Sequence, residues 1–231
     1  MEEKKKTELK IISMADVEEE EVEWLLYPLI PFGKVTIIQG DPGEGKTTLA
    51  LQIIAKLTRG EAVLPFDKPL SVAESEEKTE LDRQPMNVLY QTAEDGLGDT
   101  IKPRLNAAGA DCSKVLVIED KEKALTMMDS RLEEALIETG ARLVVLDPIQ
   151  GYLGADVDMH RANEIRPVMK RISTLAEKYR CAIVLIGHMN KASGGKSSYR
   201  GLGSIDFQVA ARSVLIVGRI KDDPEIRVVC Q

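Results

Sequence analysis

The fold of this chain is decided by the stretch Gly40-Asp41-Pro42-Gly43-Glu44-Gly45-Lys46-Thr47. These residues, called the phosphate loop below, match the pattern G-x-x-x-x-G-K-[ST]. Glycine permits backbone angles that are closed to other residues, so successive N–H groups can surround a phosphate. The lysine supplies a mobile positive charge for the outer phosphates, and the hydroxyl that follows it can ligate Mg²⁺. We therefore predict that a nucleoside triphosphate binds to this stretch and the next residue: Gly40, Asp41, Pro42, Gly43, Glu44, Gly45, Lys46, Thr47 and Thr48.

The residues around the phosphate loop have the patterns that such a site needs. Residues 35–39 are apolar and β-branched, and residues 46–57 read as a helix whose positive N-terminus faces the bound anion. Beyond them strand and helix patterns alternate, which indicates parallel strands joined by crossover helices. We expect an α/β fold with a mostly parallel central sheet flanked by helices. The predicted strands are 35–39, 87–92, 115–118, 143–146, 182–187, 213–217 and 226–230, and the predicted helices are 46–57, 97–108, 130–139, 163–179 and 204–211.

Length and composition limit the class of protein. A chain of 231 residues with 43% apolar residues is long enough for one large α/β domain or two small ones. No apolar run approaches the roughly 20 residues that span a bilayer, so we expect no membrane contact. Cys112, Cys181 and Cys230 lie far apart, which is typical of thiols in a reducing cytosol and predicts a cytoplasmic protein.

The charge pattern suggests how the chain is organised. Residues 1–22 are charged and lack periodicity, so we predict a flexible leader followed by one domain over residues 23–231. Residues 61–85 carry prolines and many charges and read as a polar insertion of that domain. Most of the net charge of −7 comes from the leader and the insertion, and it therefore does not argue against a nucleic-acid partner for the core.

A second anchor for Mg²⁺ is predicted about a hundred residues after the phosphate loop. Residues 141–147 form an apolar strand that ends in Asp147. Together with Thr47, this carboxylate is our candidate metal ligand, since nucleotide hydrolases of this type hold Mg²⁺ with a hydroxyl and an acid. The plain alternative is a strand-ending aspartate before a proline turn.

The residue that activates water must come from a different strand. Many ATPases place glutamate directly after the metal-binding aspartate, but Pro148 stands there in this sequence. The predicted strand 87–92 leads into Glu94 and Asp95, at the edge where a parallel sheet binds ligands. Strict alternation would put these two acids on opposite faces. We assign Glu94 as the catalytic base and keep Asp95 as the weaker candidate, and the plain alternative is a pair of helix-capping acids.

His188 follows the predicted strand 182–187, which we expect beside the strand of Asp147. At that position it can sense the γ-phosphate, and the plain alternative is a capped, half-exposed histidine. Glu94, Lys46 and His188 are thus the predicted catalytic residues. A GTPase is disfavoured because Asn190-Lys191-Ala192-Ser193 lacks the aspartate that guanine recognition needs, and a small-molecule kinase because residues 61–84 are poor in arginine.

These motifs together resemble the RecA/DnaB-type core ATPases, and within them the RepA-like hexameric helicases of plasmids and mobile elements. The resemblance runs from about Trp24 to the end of the chain. It implies a RecA-like P-loop NTPase fold, with ATP and Mg²⁺ as cofactors. It further implies that Glu94 activates water, that Asp147 orders the Mg²⁺ shell, and that His188 couples the state of the γ-phosphate to a neighbouring loop.

That neighbouring loop, residues 191–201 and called the basic loop below, has the chemistry of an anion-binding segment. It is rich in Gly and Ser, and Lys191, Lys196 and Arg200 can contact phosphates while Tyr199 can stack on a base. The plain alternative is an ordinary disordered connection. The family resemblance implies that this loop faces a central channel and contacts single-stranded DNA. The resemblance implies the same contact for a second loop, residues 151–163, but this loop is acidic on balance, which argues against a DNA contact there.

The family resemblance also implies an oligomer. Its members hydrolyse ATP between subunits, where an Arg or Lys of one protomer completes the site of the next. By the layout of the family that residue follows the predicted strand 226–230, so it is expected beyond Gln231, and Arg219 and Lys221 are weaker substitutes. The strand stops without a turn or cap, which predicts a truncated C-terminal end. We expect a hexamer or filament of a DNA helicase or DNA-remodelling ATPase, with slow turnover unless the chain is extended or assembled. The alternative is an oligomeric regulatory ATPase without DNA translocation.

Overall fold

The computed structural model of the chain describes residues 10–61, 63, 84–189 and 206–231. The strands in chain order are β1 (Trp24–Leu26), β2 (Ile30–Pro31), β3 (Val35–Gly40), β4 (Val88–Thr92), β5 (Val115–Leu116), β6 (Leu143–Asp147), β7 (Ala182–His188), β8 (Ser213–Ile220) and β9 (Asp223–Cys230). The α-helices are α1 (Lys46–Thr58), α2 (Lys102–Ala107), α3 (Arg131–Thr139), α4 (Ala162–Tyr179) and α5 (Asp206–Ala210). Short 3₁₀ turns cover Met14–Asp16, Cys112–Lys114 and Ile149–Tyr152, and a π-helical turn covers Leu97–Ile101.

The central sheet confirms the α/β prediction. Within the described residues it has seven strands in the order β5-β4-β6-β7-β3-β8-β9. All neighbours pair in parallel except β8 and β9, which form an antiparallel hairpin at one edge. The loops after β3, β4, β6 and β7 therefore leave the sheet at the same edge, which is where open parallel sheets bind ligands.

Two apolar layers cover the sheet, and the alternation along each strand decides which layer a side chain enters. In β6, for example, Val144 packs in the layer with α3 and α4, whereas Val145 packs in the layer with α1 and α2. Because both faces are covered, the central strands are apolar at nearly every position and do not alternate with polar residues. The same alternation directs Asp147 to the face that carries α1.

The element boundaries differ from the predicted ones in two instructive places. Helix α4 starts at Ala162, one residue before the predicted start, and contains Pro167 after its first turn. Backbone N–H groups of Glu164 and Ile165 both bond to the carbonyl of Arg161, and buried Ile165 secures the first turn against the core. The predicted helix 97–108 begins as a π-helical turn and becomes α-helical only at Lys102.

The structure describes only part of the predicted leader and of the predicted polar insertion. Residues 10–23 are all exposed and contain one short turn at Met14–Asp16, and β1 and β2 then form a small antiparallel pair beside the sheet. Of the predicted polar insertion, residues 62 and 64–83 lie outside the described residues. The division into a leader and one domain stays a prediction.

One buried acid makes a strong local contact at the start of α3, and this contact gives a stability prediction. The carboxylate of Asp129 accepts bonds from the backbone N–H (3.0 Å), Nε (3.1 Å) and Nη2 (2.9 Å) of Arg131. Its side chain is 6% exposed. These bonds hold the pKa of Asp129 well below its usual range. The acid must therefore be ionised to stabilise the fold fully.

We predict that Asp129→Asn lowers the free energy of unfolding by about 1–2 kcal/mol at pH 7, since charged hydrogen bonds are lost. A depressed pKa stabilises the folded state above the unfolded pKa of about 4, and this stability is lost as the pH falls below it. The difference from the wild type should therefore shrink at pH 3 in urea denaturation. The control is Asp222→Asn, at an exposed turn position. An equal difference at both pH values would contradict the prediction.

Candidate functional site

Four strand ends bring the predicted site residues together at one edge of the sheet. The register pairs Gly40 of β3 with His188 of β7, and Thr92 of β4 with Asp147 of β6. The strands β4, β6, β7 and β3 are neighbours in this order, and their carboxyl ends lie along one edge of the sheet, with β6 ending two residues before the level of His188. This arrangement is the reason why residues far apart in the sequence meet.

The phosphate loop has the backbone conformation that its glycines predict. Gly43 and Gly45 have φ values of +81° and +94°, in the left-handed region that favours glycine. Gly40 is required for a different reason, since a Cβ there would lie 2.3 Å from the carbonyl oxygen of Val217 on β8. Helix α1 begins directly after Gly45, so its free N–H groups point to the hollow of the loop.

Lys46 lies inside the phosphate loop, with its side chain folded back on the backbone. Its Nζ donates to the carbonyl oxygens of Gly40 and Asp41, at 2.9 Å each. Burial lowers the pKa of Lys46, and the carboxylates of Asp147 and Asp41 oppose this change. The two carbonyl oxygens thus hold the ammonium group inside the loop. Phosphate oxygens could accept the same hydrogen bonds.

Thr47 and Asp147 meet as the predicted pair of metal ligands should. The hydroxyl of Thr47 donates to Oδ2 of Asp147 at 2.7 Å, and the hydroxyl of Tyr90 donates to the same oxygen at 3.2 Å. Burial raises the pKa of Asp147, while these two hydrogen bonds oppose the rise. A threonine hydroxyl and a carboxylate are hard oxygen donors, which Mg²⁺ prefers.

The donor set fits Mg²⁺ that is shared with a nucleotide. Among the described residues there is no group of three or more His, Cys, Asp or Glu side chains that could hold a metal alone. Mg²⁺ in nucleotide sites needs no such cage, because it takes one or two protein oxygens and completes its shell with phosphates and water. Thr47 and Asp147 are the residues that would hold it here.

Glu94 and His188 lie beside each other across the same edge. Nε2 of His188 is 3.6 Å from Oε2 of Glu94, whose side chain is 62% exposed and open to water. Asp95 instead pairs with Arg104 at 3.2 Å. This contact occupies Asp95 and favours Glu94 as the base. The argument from alternation was wrong, because β4 ends at Thr92 and both acids follow in a bend.

The structure adds two residues to the site. Tyr90 was missed, since a tyrosine in a buried strand reads as core, and only the adjacency of β4 and β6 gives it a partner. Arg219, predicted as a weak substitute for a residue acting between subunits, lies on the phosphate loop of its own chain. The proposed DNA contacts, Lys191, Lys196, Tyr199 and Arg200, lie outside the described residues.

Comparison with known proteins gives the family of the chain. The AAA domain family matches residues 3–194, most of the chain. The chain belongs to this family. No curated protein matches the chain. Among the described residues, no helix is both long enough and apolar enough to cross a membrane.

The fold of this AAA domain protein can be compared with that of a solved structure. The chain is similar to a KaiC-like protein from the hyperthermophilic archaeon Pyrococcus horikoshii OT3, with a TM-score of 0.56 and 18% sequence identity. The match covers 87% of this chain and 78% of the other. It confirms the RecA-like P-loop ATPase fold with a mostly parallel sheet between helices. The finer resemblance to RepA-like helicases stays a prediction.

Two buried tyrosines provide a matched test of the contact behind Asp147. Tyr90 donates to a carboxylate, whereas the hydroxyl of Tyr152 has no hydrogen-bond partner among the described residues. We predict that Tyr90→Phe lowers the free energy of unfolding by about 1–2 kcal/mol and that Tyr152→Phe leaves it nearly unchanged. Urea denaturation without nucleotide measures both. Equal losses for the two variants would show that the Tyr90 bond contributes no stability of its own.

Proposed function

We propose that this chain binds and hydrolyses ATP and uses the energy to act on single-stranded DNA, as a helicase or DNA-remodelling ATPase. One observation carries the proposal of ATP binding and hydrolysis: Lys46, the Thr47–Asp147 pair and the Glu94–His188 pair converge at a single sheet edge beside a helix N-terminus. This is the set of groups that phosphoryl transfer needs, namely a phosphate cradle, a metal anchor and a base.

Binding is the task of the phosphate loop. Its N–H groups and the ammonium of Lys46 surround the phosphates, and the lysine exchanges the carbonyl oxygens of Gly40 and Asp41 for phosphate oxygens. Thr47 and Asp147 would hold Mg²⁺, which when bound would supply positive charge beside the transferred phosphoryl group. Lys46 and Asp147 are buried, so water screens their attraction to the phosphates and to the metal less than it would at an exposed site.

Hydrolysis then depends on the exposed carboxylate of Glu94. It orients the attacking water and accepts its proton, while the water oxygen bonds to the γ-phosphorus and the bond to ADP breaks. His188 lies within reach of both this carboxylate and the end of β3. We propose that this histidine responds to loss of the γ-phosphate. Because the basic loop follows β7 closely in the sequence, such a response can reach residues 191–201.

The action on DNA rests on the basic loop and on the family resemblance. Lysine and arginine attract the phosphate backbone, and Tyr199 offers a stacking surface for a base. We propose a homo-oligomer, a hexamer or filament, with ATP sites at the subunit interfaces. An oligomeric regulatory ATPase without DNA translocation is the second candidate, since the similar solved structure is described as KaiC-like.

The assignment of the base is tested by Glu94→Gln. We predict a fall in kcat of about 100-fold or more with ATP binding retained, because the amide keeps the shape but cannot accept the proton. Lys46→Ala should instead abolish ATP binding. Phosphate release and binding of labelled ATP measure the two effects, with Asp95→Asn as the matched control. Retained turnover in Glu94→Gln would move the base to Asp95 or to another residue.

The action on DNA is tested by replacing Lys191, Lys196 and Arg200 with alanine. We predict that single-stranded DNA stimulates the ATPase of the wild type and does not stimulate that of this variant, since the phosphate contacts are lost. The control replaces three exposed lysines elsewhere on the described surface: Lys102, Lys121 and Lys170. Stimulation that persists in the variant would exclude the basic loop, and a wild type without stimulation would favour the regulatory ATPase.

A further inference from the structure

The phosphate loop contains an acid that its task does not call for. Glu44 lies between Gly43 and Gly45, and its side chain is only 18% exposed. Its carboxylate is close enough to Lys46 to help counter the effect of burial on the pKa of that lysine. A loop that surrounds a polyanion is weakened by a nearby negative charge, since like charges placed together cost free energy. Something must offset Glu44 if the loop is to bind phosphates well.

Arg219 on β8 is the group that meets this acid. Its Nη2 donates to the carbonyl oxygen of Gly43 at 2.9 Å, and its Nε lies 3.3 Å from Oε2 of Glu44. The second contact is an ion pair and not an aligned hydrogen bond. That buried oxygen has no hydrogen-bond partner in the described part of the chain. The guanidinium therefore spans the two residues at the turn of the loop.

The sheet holds Arg219 at this place. β8 runs parallel beside β3, and the carbonyl of Val217 packs against Gly40 so closely that a Cβ would not fit. Arg219 stands two residues after Val217 on the same strand, and alternation places the two on the same face. The first glycine of the loop and its central turn thus both rest on β8.

We propose that Arg219 is a positioning residue which neutralises Glu44 and orients the Gly43–Glu44 peptide, so that the phosphate loop can accept the phosphates of ATP. The inference rests on the proposed ATP binding. It differs from a role between subunits, because the guanidinium contacts the loop of its own chain. Such a pair on an ordinary surface would contribute little. Here the pairing of Glu44 affects ATP binding, because an unpaired carboxylate would repel the bound phosphates.

The test compares binding of Mg²⁺-ATP to the full chain by calorimetry at low and high salt. Arg219→Gln should weaken binding roughly tenfold at low salt, because Glu44 is left unpaired beside the phosphates, and less at high salt, where charges are screened. Arg219→Lys, which keeps the charge, should bind within about threefold of the wild type. The double variant E44Q/R219Q should regain most of the lost affinity, since the repelling charge is gone.

The matched control is Arg227→Ala, because Arg227 stands opposite Arg219 in the β8–β9 hairpin and contacts only the carbonyls of Pro224 and Glu225 in the described structure. Its ATP affinity should equal that of the wild type. Unchanged binding in Arg219→Gln, or no recovery in the double variant, would overturn the inference. A wild type that does not bind ATP would instead overturn the proposed function. If Arg219→Gln does not fold, Glu44→Gln alone decides: binding at least as tight as the wild type supports the inference, and weaker binding overturns it.

Discussion

The hydrogen bond between Thr47 and Asp147 joins two residues that lie 100 positions apart, and the rest of the site depends on it. Thr47 opens α1 after β3, and Asp147 closes β6, with β7 lying between these strands. The bond can form only if the ends of β3 and β6 keep a fixed position relative to each other across β7. The parallel register of the three strands sets that position, and the two apolar layers hold it. The chemistry of the edge is thus a product of core packing.

Two buried charges define the character of this edge. Burial lowers the pKa of Lys46 and raises that of Asp147, so each ion is poorly solvated and is held by hydrogen bonds to neighbours. An isolated buried charge costs several kcal/mol, which explains why carbonyls and hydroxyls surround both groups. A site arranged in this way is prepared for a polyanion and a cation before either arrives. Water screens the attraction of these two buried groups for a ligand less than it screens that of surface charges.

The sequence predicts the residues of the site better than their contacts. The phosphate loop and Asp147 could be located because each has a local pattern. The first is a glycine-rich motif after an apolar strand, and the second is an acid at the end of one. Glu94 was located because it follows the neighbouring strand, although the alternation argument failed at the bend after Thr92. Tyr90 and Arg219 could not be found in this way. Their partners are set by the order of strands in the sheet, and an ordinary core tyrosine or hairpin arginine carries no local signal.

Close contact between Gly40 and the carbonyl of Val217 has a wider consequence. The first glycine of the phosphate motif is usually explained by what it offers to a nucleotide. In this fold it also sets how near the β8–β9 hairpin approaches the centre of the sheet. Selection at this position therefore acts on assembly of the sheet edge as well as on ligand recognition. A methyl group there would push the two strands apart even in the absence of any nucleotide.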